Sequence, residues 1–293
     1  MKTFLSGIRS CDFVVTAQLP LTPGTTAADI RHAVEVLQPV VHAVQISDNT
    51  TTQPHMSPLA AASIALNAGM DAVVQLTCRD RNRIALQSDL MGAAALGITS
   101  LILSRGEKLP ANHKQRIKGV FDIGVQRLLA TAQAIGANER LVAPPGFFIG
   151  SNVTAIDPPE NWAAGGIDNK ADAGSKFVQT QPCLDIGVLR KYMAALVATK
   201  SLERISVIVQ VPLLESIDMV DELQNARRPL LIRRDLITRL QQADDFGKEA
   251  EGVCSEMLSA VSTVPGISGA NVLHRGDTAA LVRVVMPLHR GTT

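Results

Sequence analysis

A chain of 293 residues, 46% hydrophobic and 19% charged, can bury a sizeable core, which excludes a disordered chain. Its formal net charge is +1 and its basic and acidic residues are interspersed, so nothing in the pattern points to a nucleic-acid partner. Aromatic residues make up only 3%, with one Trp and one Tyr, so a ring platform for stacking bases is excluded and the core must be aliphatic.

In chain order, short β-branched runs alternate with Ala- and Leu-rich periodic stretches. The spacing predicts strands at 12–19, 43–47, 72–76, 100–103, 140–143, 177–180, 205–211 and 270–273. Between them the 3.6-residue period predicts helices at 27–37, 59–67, 83–95, 118–135, 186–199 and 246–261. Strands alternating with helices imply parallel βαβ units, and eight without a reversal favour one closed (β/α)8 TIM barrel domain over 1–293. A further strand-like piece at 229–232 leaves that count open by one. Two stretches, 47–57 and 144–174, are rich in polar, Gly or Pro residues and are predicted as loops. Loops after barrel strands form the face that carries the site, so both are lid or ligand-wall candidates, or else surface insertions.

The cysteines Cys11, Cys78, Cys183 and Cys254 form no CxxC pair, which fits a reduced, cytoplasmic setting. No signal peptide is evident at the start, and no run reaches the roughly 18 apolar residues of a membrane span. His42, His55 and His274 lack metal-ligand spacing, so no metal is expected and core or surface roles are their default.

Three segments carry polar groups at predicted strand ends. In QLTCRDRNR (75–83), Arg79, Arg81 and Arg83 crowd the start of a helix, where the macrodipole disfavours cations. Either an anion docks there or the arginines pair with carboxylates across the rim, and Asp80 is a possible N-cap. After the fourth strand, Gly106 allows close backbone approach, and the Glu107 carboxylate can accept paired N–H donors from a heterocycle; an ordinary turn is the alternative. The sixth strand bears Gln179, Thr180 and Gln181, and a rim Gln can donate and accept toward an amide-like edge. These residues define a polar rim but no reaction.

The order of segments from residue 12 to 285 resembles the methylenetetrahydrofolate reductase family. The resemblance rests on TAQLPLTPG (16–24), QISDN (45–49), QLTCRDRNRIALQSDLMGAAALGI (75–98), LSRGEKLP (103–110) and NKADAGSKFVQTQPCLD (169–185). It implies a barrel that binds FAD at the carboxyl ends of its strands. NADH or NADPH reduces the flavin, and 5,10-methylenetetrahydrofolate then takes the hydride to become 5-methyltetrahydrofolate. By position, Thr77, Arg105, Gly106 and Lys170 match flavin contacts, with Ser47, Asp48 and Gln75 weaker matches. Gln181 matches a folate-contacting Gln, and Glu107 stands where the family usually has Asp. The resemblance also implies a homo-oligomer.

Gln18 is the departure. The family places a Glu at the end of the first strand as general acid toward the folate nitrogen, and an amide cannot transfer that proton. Pro144 and Pro145 also replace the family's usual fifth-strand contacts. Three readings follow. One is a working folate oxidoreductase in which Glu107, Asp48 or a water supplies the proton. Another is a flavin-free enzyme of methyl or one-carbon transfer on tetrahydrofolate. The last is a weakened folate- or flavin-binding partner subunit.

Overall fold

The computed structural model describes residues 3–10, 13–49, 54–107, 118–138, 146–226 and 228–289. Eight parallel strands close into a barrel in sequence order: β1 (Val14–Leu19), β2 (Ala43–Ile46), β3 (Ala72–Thr77), β4 (Ser100–Ser104), β5 (Phe148–Asn152), β6 (Phe177–Pro182), β7 (Ser206–Pro212) and β8 (Ile267–Leu273). β8 returns to β1, with Asn271 opposite Thr16 and Val272 opposite Ala17.

The helices in chain order are α1 (Phe4–Arg9), α2 (Ala27–Leu37), α3 (Pro58–Asn67), α4 (Arg83–Ala95), α5 (Val125–Gly136), α6 (Gly165–Asp172), α7 (Ile186–Ala198), α8 (Ile217–Gln224), α9 (Arg234–Gln241), α10 (Phe246–Ser262) and α11 (Thr278–His289). Of these, α2 and α4 have the bounds their periodicity predicts. Asn82, rather than Asp80, caps α4: its side chain accepts from Ala85 N at 2.9 Å, while Asp80 pairs with Arg79.

The fifth strand is displaced from its expected place. The 140–143 run lies outside the described residues, as do Pro144 and Pro145, and β5 forms from FIGSN inside the stretch predicted as a loop. Gly150 explains why this short, weakly patterned segment fits: a Cβ there would lie 2.3 Å from the Phe177 ring. The same stretch holds α6, so it is a strand, a loop and a helix in turn. The 229–232 piece adds no barrel strand. Leu231 makes one parallel bridge to Cys183, extending the rim end of β6.

Two cores divide the interior. The larger lies between the strands and the helix layer and is almost wholly aliphatic. The smaller fills the amino-terminal end of the barrel with Phe4, Val14, Ala43, Val73, Ile102, Phe177 and Ile208. Three phenylalanine rings meet in and beside it. Phe4 and Phe177 meet edge-on at 5.1 Å, and Phe148 stacks on Phe177 at the same spacing. α1 is held as a plug by Phe4 N donating to Asp71 Oδ2 at 2.8 Å. Burial pushes the Asp71 carboxyl above its ordinary pKa against these backbone hydrogen bonds. With the bottom sealed, ligand access falls to the carboxyl end.

Among the described residues no helix is long and apolar enough to cross a membrane, and no group of three or more His, Cys, Asp or Glu is arranged to hold a metal.

Candidate functional site

The plug residues fix which side chains point inward. Val14, Ala43, Val73, Ile102, Phe177 and Ile208 meet inside the barrel, and strand alternation carries that orientation to every second residue beyond them. Above the plug the interior is therefore lined by Thr16, Gln18, Gln45, Gln75, Ser104, Gln179 and Gln210. Cross-strand bonds agree with this placement. Thr16 Oγ1 donates to Asn271 Oδ1 at 2.9 Å, and Gln75 Nε2 donates to Ser104 Oγ at 3.4 Å. None of the eight strands contains a charged residue. The barrel mouth is thus an amide and hydroxyl surface, and any proton donor must come from the loops.

Gln18 stands at the carboxyl end of β1, largely buried, and its Nε2 donates to Ser47 Oγ at 2.8 Å. That bond turns the amide toward β2 and leaves Oε1 without a hydrogen bond among the described residues.

Asp48 follows Ser47 and is completely buried. Its Oδ2 accepts from Thr77 N and Thr77 Oγ1, both at 2.9 Å, and from Arg81 Nη1 at 2.6 Å. Its Oδ1 accepts from Arg81 Nη2 and Asn49 N, both at 3.1 Å. Arg81 also reaches Asp89 at 2.7 Å. A carboxylate in a bidentate pair with five donors around it is committed to structure, so Asp48 is a poor stand-in for the missing acid. The pair ties the loop after β2 to the ends of β3 and α4.

The other arginines are also engaged. Arg79 is buried, its guanidinium paired with Asp80 at 2.7 Å and donating to the Asn49 carbonyl. The backbone of Arg83 donates to Asp122 at 2.8 Å. Arg79 and Arg81 therefore follow the rim-pairing alternative and do not form an open anion cradle.

Arg105 places its guanidinium 5.0 Å from the centroid of Phe121, a cation–π contact at the mouth. Gly106 has φ +77°, and a Cβ there would lie 2.8 Å from Arg79 Cβ and 3.1 Å from Thr77 Cβ. Glycine is required by this turn, which seats the segment after β4 against β3. Glu107 is exposed on that segment and near enough to Arg79 to act on its charge. Cys78, beneath the rim, has its thiol pushed up to about 11 by burial, against the pull of Arg105, so it is no nucleophile at neutral pH.

Across the barrel, Gln181 spends both ends of its amide on one residue. It accepts from Ala155 N at 2.8 Å and donates to Ala155 O at 2.9 Å. Gln179, two residues earlier and buried, faces the interior and makes no such backbone pair. Lys170, in the last turn of α6, has its pKa lowered by burial and by the nearby charge of Arg228.

Sequence reasoning passed over one buried group at this end. His274 directly follows β8 and is 2% exposed, and neither ring nitrogen has a well-formed hydrogen bond, the Gln18 backbone being within reach of the ring. Only the register of β8 against β1, which sets it beside the end of β1, distinguishes it from His42 and His55.

The sequence profile described as methylenetetrahydrofolate reductase matches residues 25–264. The chain belongs to the methylenetetrahydrofolate reductase family. No curated protein matches it in sequence. A protein from Clostridium thermocellum, described as uncharacterized and as binding two copies of 5-methyl-5,6,7,8-tetrahydrofolic acid, superposes with a TM-score of 0.70 at 10% identity, covering 98% of this chain and 99% of that one. DmoA from Hyphomicrobium sulfonivorans gives 0.56 at 8% identity, over 95% and 88% of the two chains. The long-chain alkane monooxygenase LadA gives 0.54 at 11% identity, over 95% and 91%. At these identities the likeness speaks for the fold. For this member of the reductase family, the structure places Gln18, Ser47, Asp48, Gln75, Thr77, Arg105, Gly106, Glu107 and Gln181 at the carboxyl end of the barrel strands or in the loops that follow them.

Proposed function

We propose that the chain binds a reduced folate in the amide-lined mouth of the barrel and acts on its one-carbon unit as an oxidoreductase, interconverting methylene- and methyltetrahydrofolate with a flavin and NAD(P)H. The observation that carries this reading is the lining itself. A pterin edge alternates donors and acceptors and is uncharged, and Gln18, Gln45, Gln75 and Gln179 offer both without a fixed charge. Family membership supports a folate ligand and suggests the oxidoreductase class.

The residues present fit a flavin in part. Lys170 lies near the positive charge of Arg228, and neighbouring cations of this kind suit a diphosphate. Arg105 and the Gly106 turn border the same mouth. Thr77 and Asp48 are less suited, since each is occupied by the other. When bound, a flavin would supply the hydride acceptor and donor. The chain would orient the folate through its amides and keep water from the sealed end of the barrel.

The missing acid favours a second reading. With no charged residue on any strand and Asp48 bound to Arg81, a flavin-free methyl or one-carbon transfer on tetrahydrofolate needs less from the site than reduction does. One experiment separates the two: the absorbance spectrum of the purified protein, followed by folate titration with NADH present. A flavin spectrum that bleaches with NADH and recovers with methylenetetrahydrofolate supports the oxidoreductase. A colourless protein that binds tetrahydrofolate supports transfer, and no folate binding at all overturns both.

A further inference from the structure

Buried polar side chains are almost always hydrogen-bonded, and each exception calls for a physical reason. His274 is such an exception: Nδ1 and Nε2 are both enclosed without a well-formed hydrogen bond, and the Gln18 backbone is the polar group within reach of the ring. It lies one residue past β8, where the register continues alongside the end of β1 that carries Gln18. The groups around it come from each adjoining segment. The backbone of Gln18 and the carboxylates of Glu215, after β7, and Asp277, before α11, all favour its charged form. Arg275, its neighbour in sequence, is drawn away: its guanidinium pairs with Glu222 and its backbone N–H donates to Glu215 at 2.6 Å.

We propose that His274 is a positioning residue for Gln18, holding the end of β1 in its ligand-ready place only while the imidazole is uncharged. The inference rests on the reading of this mouth as the folate site. The ring is too enclosed to touch a ligand, so it acts through β1. Gaining a proton there gives a charged donor whose nearest demands are the Gln18 backbone and the two loop carboxylates. Meeting them pulls the β1 end away from Ser47, to which the Gln18 amide is bonded at 2.8 Å. Burial holds the imidazole below its ordinary value of 6.5 and outweighs those three attractions, so the neutral form prevails at pH 7 and the switch lies on the acid side.

The test is an NMR titration of the whole protein, following the His274 ring and the Gln18 side-chain amide between pH 8 and 5, with His274→Asn alongside. The ring is expected to titrate below 6.5 and the Gln18 amide to shift with the same midpoint, a transition absent in the variant. If the variant does not fold, the wild-type titration still decides, because a Gln18 signal that ignores the His274 midpoint overturns the proposal. So does a ring that titrates at or above its ordinary value. In parallel, 5-methyltetrahydrofolate binding should weaken at least about fivefold more on acidification in the wild type than in His274→Asn, which cancels the ligand's own titration; equal weakening overturns the functional link. Absence of folate binding at every pH would sink the proposed function, while the amide titration would still report on the coupling of His274 to Gln18.

Discussion

Gln181 and Ala155 form a closed pair, the side-chain amide of one satisfying both backbone groups of the other at 2.8 and 2.9 Å. Both residues are buried, so this amide does for the loop after β5 what a strand neighbour would do. Replacing Gln181 with Leu leaves a buried N–H and a buried C=O unpaired, at about 1–3 kcal/mol each. Gln181→Leu is therefore expected to lose about 2–6 kcal/mol in urea unfolding. Full stability combined with lost folate binding would return Gln181 to the role of ligand contact.

Asp48 and Arg81 make the corresponding anchor on the opposite side. Removing one partner of a buried pair strands the other charge, and the cost is typically about 3–5 kcal/mol. Asp48→Asn should sit at the low end of that range, since Asp89 still holds Arg81 at 2.7 Å. Adding Arg81→Met should recover part of the loss, because the stranded charge is then gone. Chemical denaturation of the single and double variants checks both statements. A double variant less stable than Asp48→Asn alone would show that packing of the Arg81 stem, rather than charge, dominates.

Gly106→Ala tests the turn after β4. Its φ of +77° and the 2.8 Å approach to Arg79 Cβ leave no room for a methyl group. Left-handed backbone alone costs about 1–2 kcal/mol for an alanine. The variant should lose at least that much, with weaker ligand binding as Arg79 and Thr77 shift. Gly24→Ala, with nothing within 4 Å of the added Cβ, is the control and should be neutral.

The barrel was legible because its strands are apolar runs between helical periods, and seven of the eight formed where the pattern placed them. β5 was not. FIGSN is short, contains a glycine and ends in polar residues, and it becomes a strand only because Gly150 makes way for Phe177 across the barrel. Short helices such as α1, α6 and α9 were equally silent, because six or eight residues make only about two turns; α1 is held further by the distant Asp71. Within the site, the sequence showed which polar residues reach strand ends but not how they are spent. Thr77, Asp48 and Gln181 read as ligand contacts, and their hydrogen bonds to one another or to Ala155 add a structural role that no sequence pattern announces. His274 read as an isolated histidine because its neighbour Gln18 lies 256 positions earlier and only barrel closure brings β8 to β1.

Gln18→Glu addresses the chemistry most directly. A carboxyl at this position could take a hydrogen bond from Ser47 Oγ in place of the one the amide now donates to it at 2.8 Å. It would stand largely buried, on a strand without charge, and burial raises the pKa of a carboxyl toward the range in which it holds a proton at neutral pH. That is the property a general acid needs, and such catalysis is typically worth about 10²–10⁴-fold. The variant is therefore expected to speed methylenetetrahydrofolate-dependent reoxidation of the reduced flavin by at least about 10²-fold. Reduction by NADH should be unchanged, because that half-reaction needs orientation and not this proton. Stopped-flow measurement of the two half-reactions reads them separately. An unchanged folate half-reaction with folate still bound would mean that the mouth is organised around the amide, and the flavin-free transfer reading would then take precedence.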